Sequence, residues 1–481
     1  MSVATPPRSR PTLQGPPPQS ANPLKPMLTD LRNAHRNAVP FPPGAMSFDP
    51  RRARRMLVDP LSLMLGAYAR YGPVYTLRLL TSNVVVLLGP EANHHLLVAN
   101  AQNFSWREGS MGNLIPLLGD GLLTVDGEFH RMSRKIMLPV FHRERVVAAF
   151  DVIERETASA LERWRPGVRL DLYHWTRRLS LRIAMRALFG LDPDAPDVLR
   201  ADLATLFEEA LSFYSHDLPV QMLRGPRTPW SRMRRAKERL DRVIYAEIAR
   251  RRASGARGED LMSLLLDATD ESGASLDDRQ IRDEVMTLLF AGHDTTTSTL
   301  TFLFYELARH PEWARRLRLE QRERLAGAPS GAELMGESLP LLEQVLDETL
   351  RRYPPAWVGP RRSIEPFEVC GVHVPGGAPV VYCSWASHHL PDVWEDPFAF
   401  RPERFTPERK AEMPKGQYVP FGAGSRTCIG MRFGQIEIRA MVCAIVAAFD
   451  LELEPRYRLE IRQQPTIGPA GGLPVIVRPA A

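Results

Sequence analysis

The chain has 481 residues, 44% hydrophobic and 25% charged, with a formal charge of +6. That length and balance support a large buried core and exclude a fibrous or wholly disordered protein. The positive charge is interleaved with acids, and no basic block carries stacking aromatics, which excludes nucleic-acid binding.

Almost all of that charge is arginine, lysine occurring only at positions 25, 135, 237, 410 and 415. A moderately basic face still attracts an acidic protein partner at long range. The four cysteines, Cys370, Cys383, Cys428 and Cys443, form no CxxC pair. They read as reduced thiols of a cytoplasmic protein. No apolar run reaches about 18 residues, so no transmembrane anchor is expected.

In chain order, residues 1–45 hold eleven prolines and read as a largely disordered leader. A domain spanning 46–481 follows. "VYTLRLLTSNVVVLLG" predicts a β-hairpin whose turn is Thr81, Ser82 and Asn83. From about Pro90 to His310 apolar residues recur at three and four, predicting helices. "GARGEDLMSLLLDATDESGAS" reads as a flexible surface link. The next helix, about Leu276 to Arg309, ends before Pro311 and is roughly 50 Å long at 1.5 Å per residue. "FEVCGVHVPGGAPVVYCSW" and "PAGGLPVIVRP" predict further strands and turns. The pattern is a mainly α protein with a minor β subdomain, an α+β class.

Three of the cysteines sit in apolar strand or helix sequence and read as small hydrophobes. Cys428 differs, because "FGAGSRTCIG" surrounds it with glycines and an arginine. Gly424 and Gly430 permit a tight turn and close backbone approach to a flat ligand, and "MRFGQIEIRAMVCAIVAAF" continues as a helix. A sulfur just before a helix N-terminus is favoured as thiolate by the helix dipole and free N–H groups. Such a thiolate suits a metal whose electron density the N–H donors tune.

The run Phe421, Gly422, Gly424, Arg426, Cys428, Gly430 resembles the haem-binding loop of the cytochrome P-450 haem-thiolate monooxygenases. A chance match of five fixed partners around one cysteine is roughly a one-in-a-million event at average residue frequencies. The resemblance extends over about Pro42 to Pro479. "DETLRRYPP" and "RPERF" place Glu348, Arg351 and Arg404 where that family has a buried structural Glu-Arg-Arg network. Glu348 and Arg351 share a helix face at i, i+3, a spacing that also occurs in ordinary surface pairs such as Glu247 and Arg250. "FAGHDTTTST" resembles the oxygen-activation motif, which implies that Ala291 faces the cofactor, that the backbone opens there, and that Asp294 and Thr295 pass protons. Thr296 and Thr297 read as packing or back-bonded residues. Without that context the stretch reads as a Thr-rich helix bonding its own carbonyls.

"GEFHRMSRK" puts His130 and Arg134 at i, i+4, where the family holds a haem propionate, with histidine here in place of a common tryptophan. Arg361 and Arg426 are the other matched cations, since the arginine fork suits a carboxylate. Arg362 substitutes for Arg361 if the register slips by one.

The resemblance implies the cytochrome P-450 fold, haem b with an axial cysteine thiolate, and O2 as co-substrate. The anionic sulfur would favour O–O cleavage, and the protein would orient substrate, gate protons and exclude water. A hydrophobic small molecule is the expected substrate, with weak likeness to bacterial members that oxidise fatty acids. Leu114, Ile115, Leu117, Leu118, Phe290, Ala291, Trp357, Val358 and Ile467 are the pocket positions it implies, core packing being the alternative for each. The chain ends about fifty residues after the loop, so a reductase domain is not expected. Electrons would come from a ferredoxin or flavodoxin with an NAD(P)H reductase, to a monomer. A peroxide-driven hydroxylase or hydroperoxide isomerase and a non-enzymatic haem sensor are the competing functions.

Overall fold

One long helix organises the molecule. In this computed structural model the described residues are 15–16, 28–33, 39–194, 203–215, 218–255, 258, 260–269, 273–325, 327–463 and 466–480. The helices that position the site are Gly127–Met137 (α1), Leu172–Ile183 (α2), Asp278–Arg309 (α3), Pro340–Arg352 (α4) and Met431–Ala448 (α5). Asp277 starts α3 with a reciprocal capping box: its carboxylate accepts the Gln280 N–H at 2.7 Å, and the Gln280 side chain accepts the Asp277 N–H at 2.9 Å. His310 ends it ahead of Pro311, which opens the following helix. Helix α3 is buried on all sides over most of its length, the signature of a helix inside a large core rather than on its surface. It packs against α2, α4 and α5.

A six-stranded sheet lies beside this helical body. In chain order its strands are Gly44–Ala45 (β1), Val74–Leu79 (β2), Ser82–Leu87 (β3), Phe104–Ser105 (β4), Val358–Ser363 (β5) and Pro379–Cys383 (β6). Their spatial order is β1-β2-β3-β6-β5-β4. Pairing is parallel for β1–β2 and β3–β6 and antiparallel elsewhere. Smaller sheets join Arg169–Asp171 with Phe449–Leu453 and Pro474–Pro479, and pair Phe367–Val369 with Val372–Val374. The mainly α architecture with a minor β part, expected from periodicity, is the one observed.

Three local expectations fail, each for a physical reason. The β2–β3 turn is Leu80 and Thr81, since Leu79 pairs with Ser82 and Ser82 and Asn83 already belong to β3. Leu80 accepts a φ of 53° to make it. Cys370 is a turn residue at φ 50°, not a strand hydrophobe. The stretch read as a flexible link contains a buried helix, Leu261–Asp267, capped by Asp260; its apolar run outweighs the polar flanks. Most of the leader lies outside the described residues, but 28–33 is helical and docked. Asp30 there pairs with Arg362 at 2.7 Å, and Asn33 donates to the Gly377 carbonyl at 3.1 Å. Among the described residues no helix is long and apolar enough to cross a membrane.

Candidate active site

Residues 419–430 form a loop closed by its own backbone. Gly422 N–H donates to the Val419 carbonyl at 3.1 Å, Thr427 N–H to Gly424 at 3.2 Å, and Cys428 N–H to Phe421 at 2.9 Å. Gly424 takes a φ of 65°, and a Cβ there would lie 2.4 Å from the Leu97 carbonyl oxygen. Only glycine satisfies both constraints. Gly430 does not need to be glycine for conformation: its φ is −87°, and a Cβ would make ordinary contact with Phe141 at 3.8 Å. It serves as the N-cap of α5.

Cys428 therefore stands two residues ahead of that cap. Its side chain is exposed, yet the surrounding protein desolvates it and pushes its thiol up, against the pull of the Gly430 N–H and the Arg134 charge. A sulfur both exposed and desolvated lies in a cleft, not on the outer surface.

Between Ile281 and Phe304 helix α3 is buried except at Phe290, Ala291, Gly292 and Thr295, so the helix has one partly open stretch. The helix runs unbroken through this stretch and does not open as the resemblance implies; the Thr295 hydroxyl donates to the Ala291 carbonyl at 2.7 Å. Thr297 back-bonds to His293 at 2.7 Å. Thr296 packs towards α5, its hydroxyl oxygen 3.8 Å from where a Gly434 Cβ would be. Asp294 is fully buried. It accepts the Thr466 hydroxyl at 2.6 Å and pairs with Arg177 of α2 at 3.4 Å. Burial alone would raise its carboxyl, but Arg177, His293, Thr466 and Arg462 hold it below the usual carboxylate range. Asp294 is thus an anion locked into a network, next in sequence to the open stretch.

Four cationic or imidazole side chains gather near Trp106. Arg361, on β5, is buried with its guanidinium 3.4 Å above the Trp106 ring. Its guanidinium donates to the Pro360 carbonyl at 2.7 Å. Burial pulls it down to about 10. Arg426 stacks on the same ring at 5.1 Å and pairs with Asp126 at 2.7 Å; burial lowers it to about 10 as well. His130 on α1 is buried, and burial together with Arg426 and Arg134 lowers it to about 3, so it is neutral. Arg134, half-buried and lowered by desolvation, feels the Cys428 charge. Among the described residues neither Arg134 nor Arg361 has a carboxylate within ion-pair distance. Arg362 is not the alternative to Arg361, because it is spent on Asp30 and on the Glu108 and Gly377 carbonyls.

Glu348 and Arg351 are fully buried and bonded in a fork at 2.7 and 2.8 Å. Arg404 approaches the same carboxylate at 3.5 Å, and the Arg401 N–H donates to it at 2.9 Å. The three residues expected together are together.

The expected pocket positions divide. Leu117, Leu118 and Ile467 show no exposed surface at all, and Trp357 is buried with its ring N–H on the Gln463 carbonyl at 2.7 Å. These four are core side chains in this conformation. Phe290, Ala291 and Val358 remain partly exposed. Sequence reasoning missed Trp106, Asp126, Arg177 and Thr466. Trp106 was visible only as an aromatic in a polar loop, and the others join the site from distant segments without local pattern.

A family model described as Cytochrome P450 matches residues 59–470. Cyclooctat-9-en-7-ol 5-monooxygenase of Streptomyces melanosporofaciens is 34% identical over 397 residues, covering 81% of this chain and 85% of that protein. Cyclooctatin synthase of the same organism is 33% identical over 420 residues, covering 86% and 90%. A solved structure described as retinoic acid-bound cyanobacterial CYP120A1 superposes with a TM-score of 0.80 at 29% identity, covering 92% of this chain and all of that one. The residues in place fit haem: an exposed thiol in a cleft for one axial bond, a partly open stretch in the long helix for a flat ring, and buried cations lacking enough anions for a ring bearing two carboxylates.

Proposed function

Because the chain belongs to the cytochrome P450 family, whose members are haem-thiolate monooxygenases that use O2, we propose that Cys428 is the axial ligand and that the substrate is a hydrocarbon-rich small molecule. The observation that carries this is the exposed Cys428 thiol, held two residues before α5 in a loop that needs glycine at Gly424. Bound there, haem supplies the centre at which dioxygen is cleaved with two electrons and two protons, one oxygen atom going to substrate and the other to water.

The chain's own residues do the rest. Arg134, Arg361 and Arg426, with neutral His130, hold the ring's carboxylates. The Gly430 N–H and the Arg134 charge favour the anionic form of the Cys428 sulfur. Thr295 presents its hydroxyl at the open stretch of α3 and, on leaving the Ala291 carbonyl, would be the donor that delivers a proton to the cofactor side. Asp294, held as an anion by its pairing with Arg177 and the Thr466 hydroxyl, is the carboxylate that takes up a proton and hands it on towards Thr295, Arg177 keeping its own proton. Phe290 and Val358 contribute apolar surface to the substrate side. Electrons come from a separate acidic carrier of ferredoxin or flavodoxin type, with NAD(P)H as their source. The names of the relatives and of the structural neighbour, a cyclic alkenol and retinoic acid, agree with a mostly apolar substrate carrying one oxygen function.

The test is spectroscopic and isotopic. Reduced, carbon monoxide-bound protein shows the red-shifted Soret band of a thiolate ligand, and Cys428→Ser loses it. Labelled dioxygen appears in product only with a reductase system, and Thr295→Ala keeps the band while diverting electrons to peroxide. Full turnover with hydrogen peroxide and no reductase defeats the O2-dependent reading in favour of the peroxide-driven one.

A further inference from the structure

The cysteine loop is fastened to the rest of the molecule just upstream of Phe421, and the fastener is a histidine. His388 is fully buried. Its Nε2 accepts the Val419 N–H at 3.0 Å, which is the start of the loop whose next closure is Gly422 N–H on the Val419 carbonyl. The His388 carbonyl in turn accepts Arg351 Nη1 at 2.7 Å. The buried Glu348–Arg351 pair therefore reaches the loop through one residue: the carboxylate fixes the arginine, the arginine fixes the His388 backbone, and the imidazole fixes Val419. Beside it, the Tyr418 ring lies 5.4 Å from the His388 ring, and its hydroxyl donates to Asp347 Oδ1 at 3.0 Å. Asp347 is the residue before Glu348, so the same turn of α4 grips the loop twice.

A nitrogen that accepts a hydrogen bond carries no proton, so the proton of a neutral imidazole must be on the other nitrogen. That other nitrogen, Nδ1, is buried without a hydrogen-bond partner. A buried donor left unpaired is a standing cost, and a leucine would remove it. A leucine would also remove the acceptor for the N–H of Val419, a buried residue. Burial and the Arg351 charge lower the His388 ring to about 3, so it stays an acceptor across the physiological range.

We infer that His388, as the Nδ1–H tautomer, is a positioning residue that sets the register of the 419–430 loop and so the placement of the Cys428 sulfur. The register claim stands on the hydrogen bonds alone; only its consequence for the metal rests on Cys428 being the ligand.

The experiment uses the haem-loaded, reduced, carbon monoxide-bound protein with isotopically labelled histidine. The wild-type His388 ring is expected to report the Nδ1–H tautomer; the Nε2–H form would overturn the inference, and this readout does not depend on any variant folding. In His388→Leu the Val419 amide is expected to exchange with solvent at least about tenfold faster than in wild type, and part of the Soret band moves to the thiol-ligated position. In His388→Gln, whose side-chain oxygen falls near the place of Nε2, both readouts return to wild type. Wild-type exchange in His388→Leu, or equal loss in the glutamine and leucine variants, overturns the inference. Cys428→Ser separates the two readings: if it keeps the thiolate band the ligand assignment fails, while Val419 exchange still reports on His388.

Discussion

Two arginine-rich regions flank the cysteine loop, and they treat their charge in opposite ways. Around Glu348 the account closes locally: Arg351 takes both carboxylate oxygens and the carbonyls of His388 and Pro397, and Arg404 faces the same carboxylate. Around Trp106 it does not close. Arg134, Arg361 and Arg426 bring three cations to a place where Asp126 is the anion within reach of one of them. Buried charge is expensive unless paired. A network that pairs its charges internally is a piece of framework, whereas a surplus of one sign marks where a ligand of the other sign belongs.

The comparison breaks most visibly at Glu348. Glu348→Gln leaves Arg351 and Arg404 buried without their anion, and about 3–5 kcal/mol of unfolding free energy should be lost, read from urea melts. A loss under about 1 kcal/mol would mean that the two regions do not differ as described. Arg361→Met should do the reverse in haem-free protein, leaving its melt unchanged or slightly raised, because the removed charge has no carboxylate partner. The same variant should release haem about tenfold or more faster, the loss of a charge-assisted hydrogen bond. Smallest is the effect at Asp294, which lies between the two cases, paired with Arg177 but not enclosed by a fork. Its folded-state carboxyl lies below its ordinary value of 3.8. Its contribution to stability is therefore present above that value and is lost as pH falls through the folded one. Asp294→Asn should flatten the acid limb of a stability–pH curve below about pH 4 and leave the neutral region little changed in slope.

The same contrast explains what could be read from the chain alone. The cysteine loop was legible because Gly424 and Cys428 answer to local geometry: a left-handed turn and a helix start leave few residue choices. Glu348 and Arg351 share a helix face, but only the resemblance separated them from look-alike pairs such as Glu247 and Arg250, in which the arginine is exposed. Trp106 and Asp126 could not be found, because stacking on Arg361 and pairing with Arg426 depend on a sheet edge that brings residues about 250 and 300 positions apart into contact. The α3 segment was read correctly in extent but not in detail, since the helix runs unbroken where the resemblance has it open. Leu117 and Leu118 show the opposite limit: apolar sequence over a pocket and apolar sequence in a core look alike, and here both side chains are core.

The docked helix at 28–33 has a practical corollary for anyone trimming this protein for expression. Proline-rich ends invite removal, yet Asp30 is the carboxylate that holds Arg362 on the strand directly beside Arg361. A shortened version starting after residue 38 would leave Arg362, among the described residues, with only the Glu108 and Gly377 carbonyls and no anion, one position from a residue proposed to grip the cofactor, and the leader would be missed as a brace on that strand.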